Sequence, residues 1–227
     1  TEMAWYNQLK GMKEMGMDYV VMQYGVDYAT MHSVIPSQKL TDLGYKYYEP
    51  FGSYDPLEAV LKAAEKLGMK VYLGTIHSYG NYNEIIKAGA LNFLKKEAED
   101  GKVVMDVLME NYGKYKSFEG FYLADETCDA WLSQGSPTGG GVSDYRYLYK
   151  TQSDYAHEKY PEKKLMTAPA IWRSSGYVAS EKNLYNLIKP EVEGERAVVD
   201  IVAAQDCLGR DNAFTLAGTS IQFKRSM

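Results

Sequence analysis

The polar and apolar positions of this chain alternate between a helical and a strand period. Residues 2–16 space Trp5, Leu9, Met12 and Gly16 four, three and four apart, which predicts a helix closed by Gly16. Asp18-Tyr-Val-Val-Met-Gln-Tyr24 predicts a strand centred on Val20, Val21 and Met22, with Gln23 and Tyr24 at its C-terminal end. A long polar and aromatic loop follows, carrying His32, Pro36 and Tyr45-Lys-Tyr-Tyr48. It is longer than a bare connection needs, which suggests a binding role. Asp55 and Pro56 then supply an N-cap and a first-turn proline, and Leu57, Val60, Leu61, Ala64 and Leu67 form the stripe of a helix ending at Gly68.

The second half repeats the alternation. Met69–Ile76 predicts a strand, with His77, Ser78, Tyr79 and Tyr82 at its exit. A helical region over about 83–116, bent near Gly101, precedes the short apolar strand Glu119-Gly-Phe-Tyr-Leu-Ala124. That strand stops at two adjacent carboxylates, Asp125 and Glu126, followed by Cys128, Trp131 and a glycine-rich loop. A Tyr-rich helix over 143–159, capped by Ser143, leads to a strand over 164–171 with Trp172 and Arg173 at its exit. A helix over 180–188, stopped by Pro190, leads to a strand over 197–204 that ends in Gln205 and Asp206.

Helix followed by strand thus recurs five times, which predicts a parallel sheet covered by helices and joined by right-handed crossovers. Gln23, His77, Glu126, Trp172 and Asp206 each follow a strand. In a parallel α/β fold such positions converge on one face.

Composition narrows the function classes. With 227 residues, 45% of them hydrophobic, the chain suits one α/β-barrel-sized domain spanning 1–227. A net charge of −5 without a basic cluster argues against nucleic-acid binding. No apolar run is long enough to span a bilayer, and the start at Thr1 suggests a piece of something longer. Cys128 and Cys207 do not make a disulfide scaffold; both follow a strand's acidic end, so either paired or free thiols suit the spacing. The 21 Tyr and 3 Trp stand against 6 Phe, a bias towards aromatics with a polar handle that suits sugar stacking as well as ordinary packing. The chain has neither G-x-x-x-x-G-K-[ST] nor a post-strand G-x-G-x-x-G, so no nucleotide cofactor is expected, and no G-x-S-x-G element to suggest a serine triad. Asp125, Glu126, Asp206 and His77 would suit a divalent cation. No H-x-H, H-E-x-x-H or paired-Cys spacing supports one, and neither a metal nor a cofactor is expected.

Four segments resemble a bacterial, glycoside-hydrolase-like barrel family known as domain of unknown function 4434. They are Met12 to Gln23, Gly120-Phe-Tyr-Leu-Ala-Asp-Glu126, Ala168-Pro-Ala170, and Asp200-Ile-Val-Ala-Ala-Gln-Asp206 with Gly209. The resemblance implies a (β/α)8 TIM-barrel fold and carbohydrate chemistry. It places Glu126 where related sugar-cleaving barrels carry the acid/base at the end of the fourth strand. Their usual neighbour there is Asn, whereas Asp125 adds a second negative charge, which would raise the acid's pKa or favour a cation. Against such barrels the chain lacks a strand before its first helix and an acid-bearing seventh strand, so an incomplete barrel is expected. Its open edge would invite a homo-oligomer.

The resulting expectation is hydrolysis of a glycosidic bond, with Glu126 as acid and Asp206 as the second carboxylate. Because their strands are not adjacent, an inverting-type separation is expected. Gln23, Tyr24, His77, Tyr79, Asp125, Trp131, Trp172, Arg173 and Gln205 would bind the carbohydrate. The location expected from the resemblance is extracytoplasmic or secreted. The rival reading is a non-catalytic carbohydrate-binding or assembly scaffold, and the third is a divalent-metal enzyme.

Overall fold

The computed structural model describes residues 1–48, 54–78, 90–125, 127, 132, 141–170 and 177–205. The first half contains α1 (Glu2–Glu14), β1 (Tyr19–Met22), β2 (Val26–Asp27), β3 (His32–Ser33), α2 (Gln38–Asp42), β4 (Lys46–Tyr47) and α3 (Pro56–Leu67). The second contains β5 (Lys70–Gly74), β6 (Ile76–His77), α4 (Ala90–Tyr112), β7 (Phe118–Tyr122), α5 (Gly141–Lys159), β8 (Lys164–Thr167), α6 (Tyr177–Ile188) and β9 (Ile201–Val202).

Strands β1, β5, β7, β8 and β9 pair in that order, every pair parallel, as the open half of a barrel. Chain order and spatial order agree, as right-handed crossovers through helices require. Val71, Leu73, Phe121 and Leu165 join the main core with Leu61, Ala64, Leu108 and Leu148 of the covering helices. Tyr72, Tyr122, Ala124 and Met166 make a smaller cluster with Ala168 and Ile201. Burying each large side chain contributes roughly 1.5–3 kcal/mol, which is what holds helix to sheet.

Local signals explain the best-read elements. Asp55 Oδ1 accepts from the main-chain N–H of Leu57 at 2.9 Å and of Glu58 at 3.0 Å, fixing the start of α3. Gly68 ends it in the left-handed region at φ 63°. Other expectations need correction. The helix expected from Ser143 begins at Gly141, so Ser143 lies inside it. Helix α4 is continuous from Ala90 to Tyr112, and Gly101 admits a close helix contact: a Cβ there would lie 2.7 Å from Gln152 Cδ of α5.

The last strand is far shorter than the apolar run over 197–204. Val198 and Val199 are buried in the main core, and Asp200 Oδ2 accepts from Leu165 N–H at 2.8 Å. Ile201 and Val202 form the ladder with Met166 and Thr167, and Gln205 adds an isolated parallel bridge to Ala170.

The segment after β1 is not a loop. β2, β3 and β4 pair with β6 into a second sheet of order β4-β3-β2-β6. β5 and β6 are one extended run interrupted at Thr75, so this annex grows out of the barrel sheet. Gly74 makes the junction feasible, because a Cβ there would lie 2.0 Å from Gln23 O. The exit of β1 can thus lie directly against that of β5.

Candidate functional site

The strand exits are built around Asp125, three residues beyond the end of β7. Its side chain is buried, and Oδ1 accepts from Ser78 Oγ at 2.6 Å and from Ser78 N–H at 3.3 Å. Ser78 follows β6, so the two exits are joined through a carboxylate. Beside it, buried His77 holds Nδ1 3.1 Å from Ala124 O. A carbonyl only accepts, which puts a hydrogen on Nδ1. Tyr24, following β1, stacks on His77 with centroids 5.2 Å apart and planes at 20°.

Tyr149 of α5 ties the exits of β7 and β8 together. Its hydroxyl donates to Asp125 O at 2.9 Å and accepts from Thr167 Oγ1 at 3.0 Å. Burial pushes its pKa up, so it stays a neutral phenol. The next link is Gln205, which follows β9: its side-chain Nε2 donates to Ala168 O at 2.8 Å and its N–H to Pro169 O at 2.9 Å.

Behind Ser78 and Asp125 lies a group absent from the residues singled out by sequence. Glu97 of α4 is wholly buried, and neither carboxyl oxygen has a hydrogen-bond partner among the described residues. Burial pushes its pKa well above the usual range, and the Asp125 charge raises it further. The Ser78 hydroxyl acts the other way, but its single proton is committed to Asp125 at 2.6 Å. Asp100, one turn on, also raises it, while taking Tyr45 Oη–H at 2.7 Å and Lys96 Nζ at 2.5 Å. Burial and the two neighbouring carboxylates thus all favour the neutral form of Glu97. The available signal was its position between Leu94 and Ala98, on the apolar stripe of α4.

Of the residues expected at the site, the structure brings Tyr24, His77 and Asp125 together at the exit face. Gln23 is exposed at the end of β1, and Gln205 sits at the β8–β9 exit. Glu126, Asp206, Tyr79, Trp131, Trp172 and Arg173 lie outside the described residues, as do Cys128 and Cys207. Among the described residues no three His, Cys, Asp or Glu side chains gather as a metal-binding group. No helix among them is long and apolar enough to cross a membrane.

The model of the family described as "Domain of unknown function (DUF4434)" matches residues 1–220. The chain belongs to this family. No curated protein matches this DUF4434 chain. Among solved structures it is similar to a "putative alpha-L-fucosidase" from Bacteroides thetaiotaomicron, with 28% identity and a TM-score of 0.65. That match covers 91% of this chain and 60% of the other, so the DUF4434 chain spans about three fifths of that protein's length. An endo-1,4-beta-mannanase from Eisenia fetida matches at 10% identity and TM-score 0.49, covering 82% of this chain and 57% of that one. A beta-galactosidase from the psychrophilic Marinomonas ef1 matches at 11% and 0.49, covering 93% and 40%. The first of these matches supports a glycoside-hydrolase-like fold.

Proposed function

We propose that this chain belongs to an enzyme that hydrolyses a glycosidic bond at the exit face of the half-barrel. The observation that carries the reading is the buried Asp125–Ser78–His77 cluster, which brings the chain to the rim one residue before Glu126. Similarity to the structure described as a putative alpha-L-fucosidase supports the same class of substrate.

In this reading Glu126 protonates the leaving glycosidic oxygen, and Asp206 takes a proton from the attacking water. The Asp125 charge next to Glu126 disfavours a second anion and so helps hold the acid protonated before reaction. Asp125 itself is held by Ser78 and acts by positioning the rim. Tyr24, backed by His77, offers an aromatic face to a sugar ring.

The test is cleavage of a broad glycan panel by the wild type and by Glu126→Gln. We expect wild-type cleavage to fall at least ~100-fold in the variant, the scale of general-acid catalysis. Binding without cleavage in both proteins would sink the hydrolase and favour a carbohydrate-binding scaffold.

A further inference from the structure

The annex formed by β2, β3 and β4 encloses a trough of about 440 Å³ beside the exit cluster. Its lining includes Tyr24, Asp27, Thr30, His32, Val34 and Tyr48. The volume lies within the range of small-molecule sites. We infer that this trough is a subsite for a neutral sugar unit, set one aromatic ring away from the Asp125 cluster, so that the chain takes an oligosaccharide. The inference rests on the carbohydrate reading above and deepens it.

The aromatic lining is exposed yet held in place. Tyr24 and Tyr48 are 39% and 56% exposed, which is more than packing would leave. His77 backs one face of Tyr24 at 5.2 Å, leaving the other for a ligand. His32 meets Tyr48 edge-on at 6.1 Å and 84°, and Tyr48 N–H donates to Ser33 O at 2.7 Å. Both rings are therefore oriented before a ligand arrives, which lowers the entropy cost of binding.

The polar lining selects the ligand class. Asp27 Oδ1 accepts from Ala29 N–H at 2.9 Å, and Oδ2 accepts from Thr30 Oγ1 at 2.7 Å. These bonds fix the carboxylate while leaving it acceptor capacity for hydroxyl groups. No Lys or Arg is among the described residues lining the trough, so an anionic ligand would meet Asp27 without a compensating cation. An apolar ligand would find Val34 as the sole aliphatic side chain there among the described residues. Hydroxyls for Asp27, Thr30 and His32, with C–H faces for the two tyrosines, are what a neutral pyranose provides.

Tyr24 also sets the placement. It lines the trough and stacks on His77, whose Nδ1 hydrogen bonds Ala124 O, the residue before Asp125. A sugar in the trough therefore adjoins the exit face.

The experiment is a titration of the ¹⁵N-labelled chain with xylotriose, mannotriose and 2′-fucosyllactose, read by amide shifts. We expect at least one probe to shift the amides of Thr30, His32, Val34 and Tyr48. Tyr48→Ala should weaken that Kd about tenfold with an unchanged unfolding temperature, and Tyr48→Phe should retain binding. Shifts confined to other residues, an unchanged Kd in Tyr48→Ala, or no binding of any probe overturns the subsite. Glu126-dependent cleavage without trough shifts removes the subsite and leaves the hydrolase. Trough shifts without cleavage of any glycan keep the subsite and remove the hydrolase.

Discussion

The two ends of the parallel sheet treat charge in opposite ways. At the entry end, Glu119 of β7 receives Lys164 Nζ at 2.8 Å and Lys70 Nζ at 3.2 Å, with both lysine side chains more than two fifths exposed. That trio of charges is paired and reaches solvent, next to a buried Lys163 whose Nζ donates to Phe118 O at 2.6 Å. At the exit end Asp125 and Glu97 are buried, and Glu97 has no hydrogen-bond partner among the described residues. Burying such groups costs stability. In parallel barrels the entry face serves stability and the exit face serves chemistry. The asymmetry of pairing fits that division, and it opens the comparison to measurement.

The largest expected effect breaks the exit end at its anchor. Ser78→Ala removes the 2.6 Å donor to Asp125 and leaves a buried charge short of a partner. Urea unfolding should show a loss of about 1.5–3 kcal/mol, the scale of a hydrogen bond to a charged group.

Glu97→Gln should act in the other direction. Because burial raises the folded-state pKa of Glu97, its protonated form contributes stability fully present below its ordinary value of 4.5 and lost as pH rises through the folded value. The amide cannot ionise. Stability measured from pH 4 to 8 should therefore decline less in the variant, with a gain at pH 8 on the order of 1 kcal/mol. A pH profile parallel to wild type would show that Glu97 is already ionised at neutral pH.

The smallest effect belongs to the entry end and carries the opposite sign. Hydrogen bonds from Lys164, and then from Lys70, hold Glu119 below its usual carboxylate range despite some burial. Its contribution is present above the unfolded pKa and is lost as pH falls through the folded one. Glu119→Gln should flatten the acid limb between about pH 5 and 3 by less than ~1 kcal/mol, since solvent screens the pair. Equal effects at the two ends would erase the distinction drawn here.

These contrasts follow how much of the molecule could be read from sequence. Helix α3 was legible because Asp55, Pro56, the apolar stripe and Gly68 all agree. β5 and β7 were legible because their buried runs are continuous. The annex was not: β2, β3, β4 and β6 have two residues each, too few to establish a period, and their pairing is set by distant main-chain partners. The contact that Gly101 makes with Gln152 of another helix was not legible, because it leaves no local trace. At the site, strand-exit logic brought Tyr24, His77 and Asp125 together. It missed Glu97, whose significance depends on what α4 packs against.

Thr75 belongs to two structures at once. Its carbonyl accepts from Gly25 N–H at 3.0 Å and from Val26 N–H at 3.3 Å, while its own N–H donates to Tyr122 O at 2.9 Å. Fraying that starts in the annex meets, at this residue, a main-chain segment that is also held inside the barrel sheet, between β5 and β7. Loosening the seam between β5 and β7 at this residue therefore also loosens the anchor from which the annex hangs.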